Sequence, residues 1–139
     1  MFDATCRCGM FLSWVLVCAA VQPVGAIDTS EIIGTWEGQS LCTVPNSPCH
    51  DEHVVYHFRS AEQGGGNLVV SAYKVVNGEE QFMGDLECKY HSDTLSCSSH
   101  TRQDDDWEFR IAGKHMSGTL VVWKDRTLYR KISVDRRSK

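Results

Sequence analysis

A chain of 139 residues, 42% hydrophobic and 23% charged with a formal charge of −4, has material for one small domain. That size excludes a (β/α)8 barrel, or a catalytic domain joined to a substrate domain. The acidic balance also lacks the coherent positive field of a nucleic-acid binder, although Arg126, Arg130, Lys131, Arg136, Arg137 and Lys139 gather near the end.

Residues 1–26 read as a signal peptide. The stretch 11–21 is apolar except for Ser13, too short to span a bilayer as a helix, and Val24 and Ala26 stand at the small-residue positions that a signal peptidase reads. Cleavage after Ala26 predicts a single domain over 27–139, secreted or periplasmic, with no transmembrane segment in the mature chain. The competing reading is a buried or anchoring helix, and translation starts at Met1 or Met10. The leader would carry away Cys6, Cys8 and Cys18 and leave Cys42, Cys49, Cys88 and Cys97 in an oxidising compartment, where an even set is a disulfide framework first. Their spacing does not form the short knuckles of a tetrathiolate zinc site.

Beyond the leader, a period of two dominates. Strands are predicted over 32–42, with Trp36 near the start, and over 53–59, where Val54, Tyr56 and Phe58 alternate with His53, Val55 and His57. Gly64, Gly65, Gly66 and Asn67 turn the chain into a strand over 68–76, and Asn77-Gly78 turns it again. Next comes 81–90, with Phe82, Leu86, Cys88 and Tyr90 on one side. Reversal at Ser92-Asp93 leads into 94–99 and places Cys88 opposite Cys97. Of the three pairings open to four cysteines, that register favours the local one, Cys42 with Cys49 and Cys88 with Cys97. Trp107, Phe109 and Ile111 then alternate with acidic and basic neighbours, Gly113-Lys114 turns, and Met116, Gly118, Leu120 and Val122 alternate in turn before a last strand over 127–134. No long apolar stripe at helical spacing occurs. The expected fold is all-β, a small antiparallel meander barrel of about eight strands, because closing the last strand on the first removes every sheet edge.

Chemistry-bearing clusters are few. His50, Asp51, Glu52 and His53 hold ligand types for a divalent metal or a small metal-dependent hydrolase. On a strand, however, His53 and His57 lie about 13 Å apart, and the pattern is not H-E-x-x-H. Asp104-Asp105-Asp106 lacks the spacing of a calcium loop and reads as an acidic turn. No G-x-S-x-G elbow is present, and Ser98-Ser99-His100 is an ordinary Ser/His juxtaposition. No cofactor motif is found, and no catalytic residue is assigned.

Gly34-Thr35-Trp36 at the opening of the first strand resembles the start of the lipocalin and avidin type (calycin) barrels. In that family the Trp closes one barrel end and an Arg of the last strand packs across it. The resemblance implies that role for Arg130, in Leu128-Tyr129-Arg130-Lys131-Ile132, so Gly34, Trp36 and Arg130 are the expected structural residues. The mid-chain T-D-Y of many lipocalins and a biotin pocket are both missing. The segment CTVPNSPCHDEHVVY is also similar to one in small exported proteins of unassigned function. Together these point to a secreted barrel without catalysis that binds a small apolar or amphipathic ligand or serves a structural role. Tyr56, Phe58, Phe82, Tyr90, Trp107 and Phe109 are the candidate ligand-binding residues, with Leu86, Met116 and Leu120 beside them on the inner face. The alternatives are a small hydrolase or metal-dependent enzyme at His50–His53, or an interaction or inhibitor module presenting the Cys42–Cys49 loop to a protein partner.

Overall fold

The computed structural model describes residues 28–99 and 105–138. The expected leader and its cleavage position lie outside the described residues, as do His100 and Asp104. β-branched and aromatic residues at alternate positions form eight strands: β1 (Gly34–Cys42), β2 (Glu52–Ser60), β3 (Asn67–Val76), β4 (Glu79–His91), β5 (Thr94–Ser98), β6 (Asp105–Ala112), β7 (His115–Val122) and β8 (Thr127–Arg136). Each pairs antiparallel with its sequence neighbour and β8 closes on β1, giving the closed meander barrel expected from the alternation.

Tight turns fix the register. Asn77 and Gly78 take φ of 54° and 83°, the left-handed pair of a two-residue hairpin, and Ser92 and Asp93 take 48° and 65° between β4 and β5. Cys88 therefore lies opposite Cys97, bridged with a Cα–Cα distance of 4.0 Å, and Cys42 is bridged to Cys49 across 5.8 Å. Both predicted pairings are present.

One half of the barrel is filled. Phe109 meets Tyr56 and Phe58 edge to face, with ring centroids 5.7 and 6.3 Å apart, and Leu68, Val70, Leu95, Met116, Ile132 and Val134 complete the packing. Below them Trp36, with 0% of its surface exposed, seals the end, its indole Nε1 donating to the Ile32 carbonyl at 2.8 Å.

The arginine at this seal is Arg136, which corrects the assignment of Arg130. In the antiparallel β1/β8 pair Trp36 faces Arg136, whereas Arg130 faces Cys42, six residues farther along the strand and roughly 20 Å away. Arg136 donates from Nη1 to the Glu31 carbonyl and from Nη2 to the Ile33 carbonyl at 2.7 Å, holding the turn that precedes β1 against the barrel end. Gly34 begins β1 at a φ of 136°, where a side chain is strained, and a Cβ there would lie 3.5 Å from the Arg136 guanidinium.

Two bulges interrupt the alternation. Ala72 pairs with Gly84 but Tyr73 pairs with Phe82, so Met83 is the extra residue; Leu120 pairs with Arg130 but Val121 with Leu128, so Tyr129 is extra. Both lie toward the end opposite Trp36.

Candidate functional site

At that opposite end the barrel interior opens into a cavity of about 600 Å³. The opening has a local cause in the sequence. Inward positions deep in the barrel carry Trp36, Phe58 and Phe109, while the corresponding positions nearer the mouth carry Ser40, Ala72 and Gly84, the last two directly opposite one another. Val54, Tyr56, Leu86, Trp107 and Leu120 form the apolar and aromatic wall, and both bulge residues, Met83 and Tyr129, line it near the rim.

The six candidate ligand residues divide. Tyr56 and Trp107 line the cavity; Phe58 and Phe109 are buried in the filled half. Tyr90 lies toward the sealed end, its hydroxyl donating to Asp93 at 3.2 Å beside the β4–β5 turn. Phe82 reaches the cavity only at its rim. The Met83 bulge turns it out of the inner row that alternation predicts, so it is 59% exposed with its ring edge-on to Tyr73 at 5.4 Å. Leu86 and Leu120 line the wall, and Met116 is core.

The mouth is organised by Arg130. Its side chain is 12% exposed, and its Nη1 lies 3.3 Å from Glu52 Oε2, 3.3 and 3.2 Å from the carbonyl and hydroxyl oxygens of Ser40, and 3.2 Å from the His50 carbonyl. Arg130 is thus structural at the mouth. The bridged loop lies beside it: Thr43 donates from its backbone N to the Tyr129 carbonyl at 3.1 Å and from its hydroxyl to the Leu128 carbonyl at 2.6 Å, while Asp51 accepts from the Cys42 N–H at 2.9 Å. Pro48 and Cys49 line one side of the entrance. Burial pushes the Tyr56 phenol far above its usual range, with the Arg130 charge opposing and Glu52 adding, so it stays neutral in the cavity.

The residues considered for metal or hydrolytic chemistry do not come together. Glu52 turns inward to Arg130, Asp51 caps Cys42, and His53 points outward to Glu37 at 2.8 Å. His57, also outward, bonds Glu80 at 2.9 Å and Thr35 at 3.0 Å. Among the described residues no group of three or more His, Cys, Asp or Glu side chains converges on a point. Asp105 lines the cavity, whereas its neighbour Asp106 faces out toward Arg126 at 3.4 Å.

Sequence reading missed Ser40, Ala72, Lys74 and Tyr129 as lining residues. Lys74 carried a signal: it continues the inward row of Leu68, Val70 and Ala72, where a charge at the strand end marks the wet rim of an interior. Among the described residues no helix is long and apolar enough to cross a membrane.

No family model and no curated protein matches this chain. Among solved structures, the siderocalin Ex-FABP, described as functioning through dual ligand specificities, is similar to it with a TM-score of 0.52. The match covers 78% of this chain and 74% of that one at 13% identity, which is a likeness of fold. The chain is a closed, eight-stranded antiparallel barrel that resembles the lipocalin, or calycin, fold.

Proposed function

We propose that this chain is an exported binding protein that holds a small amphipathic ligand in the open half of its barrel, without catalysis. The observation that carries the reading is the cavity of about 600 Å³, apolar and aromatic in its wall and charged at its rim. Such a surface takes up a hydrocarbon body and leaves a polar end at the mouth. Two disulfides in so small a domain support an oxidising compartment, and a calycin-type barrel is a suitable frame, though the fold by itself assigns no activity.

The test is native mass spectrometry of protein recovered from an exporting host, before and after denaturing extraction, together with titration of the extracted protein with a fluorescent fatty acyl probe. One bound small molecule, or one-to-one probe binding in the micromolar range, is expected, and N-terminal sequencing should find Ile27. Ala72→Phe would fill the space beside Gly84 and should abolish probe binding while leaving the fold intact. Equal probe binding by native protein and by Ala72→Phe would refute the cavity as the site.

A further inference from the structure

We infer that the ligand is an anionic amphiphile whose headgroup is selected by Lys74 and not by the more conspicuous Arg130. The inference rests on the cavity being the ligand site.

Among the described residues, five charged side chains line the cavity: Glu52, Lys74, Asp85, Asp105 and Arg130. Four are engaged within the protein. Glu52 and Arg130 pair at 3.3 Å; Asp85 accepts from Ser71 at 2.5 Å and lies 3.5 Å from Arg59; Asp105 is engaged by other groups. Lys74 differs, being half-buried with neither an ion pair nor a side-chain hydrogen bond among the described residues.

Arg130 is the poorer anchor for an incoming anion. Its charge already neutralises Glu52, and its Nη1 ties Ser40 of β1 to His50 just past the bridged loop, so a second anion would either compete with Glu52 or loosen the entrance. Lys74 has no such duty. Its ammonium is a compact donor on a flexible stem, standing one inward position past Ala72 and opposite Val54. Beside these apolar neighbours an anion meets less competition from water than on an open surface, so an ion pair is stronger there. A carboxylate or phosphate monoester at Lys74 would direct its hydrocarbon tail down the wall toward Tyr56, Leu86 and Leu120.

Matched probes test this directly. Dodecanoate, dodecyl phosphate and dodecanol share one tail and differ only in the headgroup. By calorimetry at low salt, native protein is expected to bind at least one of the anions about tenfold more tightly than dodecanol, the scale of one charge-assisted hydrogen bond. Which anion gains more tells a carboxylate carrier from a phosphate carrier. Lys74→Met should bring the ratio of anion to dodecanol affinity to about one, and Lys74→Arg should restore it. Equal affinity of native protein for all three probes, or an anion preference that survives Lys74→Met, would overturn the role of Lys74 while leaving the binding site in place. Absence of binding by any of them would remove the site itself.

Discussion

Arg136→Ala is the sharpest test of how the barrel is sealed. The substitution removes donors to the Glu31 and Ile33 carbonyls, and with them the half-buried stem of a residue paired with Trp36 across β1 and β8. At about 1 kcal/mol for each charged hydrogen bond at a partly exposed site, plus lost packing, the cost is about 2–3 kcal/mol. For a domain of this size that lowers Tm by about 10 °C. Arg137→Ala is the control: its ion pair with Glu37, at 2.6 Å, lies on the exposed outer face and should contribute less than about 1 kcal/mol. Urea unfolding followed by tryptophan fluorescence reads all of these values, and a double-mutant cycle localises the effect. Trp36→Phe removes the hydrogen bond to Ile32, so Trp36 and Arg136 anchor the same short turn and should couple by about 1 kcal/mol. Arg130 lies near the other end of β8 and should be additive with Trp36. Coupling of Trp36 to Arg130, with none to Arg136, would refute the register from which this reasoning starts.

Two further outcomes follow from the same contacts. The Cys42–Cys49 and Cys88–Cys97 bridges close short, separate loops, each stabilising by about 2.5 kcal/mol on the chain-entropy estimate, so reducing both should cost about 5 kcal/mol; non-reducing peptide mapping that joined Cys42 to Cys88 would contradict the arrangement. The hydrogen bond from Arg137, with a smaller one from His53, holds the Glu37 carboxyl below its usual range, so its contribution is complete above the unfolded-state value of about 4.3 and is lost as pH falls through the lower folded value. Glu37→Gln should therefore flatten the acid side of the urea-midpoint profile below about pH 5, and an unchanged slope there would remove Glu37 from the account.

Most of the barrel was legible because its rules are local. Val54, Tyr56 and Phe58, or Trp107, Phe109 and Ile111, declare an inner face by alternation, and Asn77-Gly78 and Ser92-Asp93 declare hairpins by turn chemistry, which in turn set Cys88 against Cys97. The site was less legible because its determinants are not periodic. A bulge adds one residue with no composition of its own, so Met83 turns Phe82 outward and Tyr129 displaces the start of β8 without either appearing in the pattern. Arg130 and Arg136 share a parity with Ile132 and Val134; only the β1/β8 register chooses between them. The division of Tyr56 and Trp107 from Phe58 and Phe109 likewise depends on what stands across the barrel, where Ala72 and Gly84 leave room and Phe109 does not.

Polar and covalent ties occur at both ends of the barrel, but their work differs with that division. Near the Trp36 end, side chains fill the barrel and apolar packing sets its shape. Around the mouth the cavity withholds that packing, so the strands there need another restraint. The Arg130 contacts to Ser40, His50 and Glu52, the Thr43 contacts to Tyr129 and Leu128, and the Cys42–Cys49 bridge all fall at this end. They fix the entrance from its side and leave the interior open. A cavity held open in this way loses little further freedom when a ligand enters, which favours binding more than the same groups on a loose rim would. On this reasoning Arg130 belongs to the frame of the site because its Nη1 is held by Glu52, Ser40 and His50, and Lys74 belongs to its chemistry because it has neither an ion pair nor a side-chain hydrogen bond among the described residues.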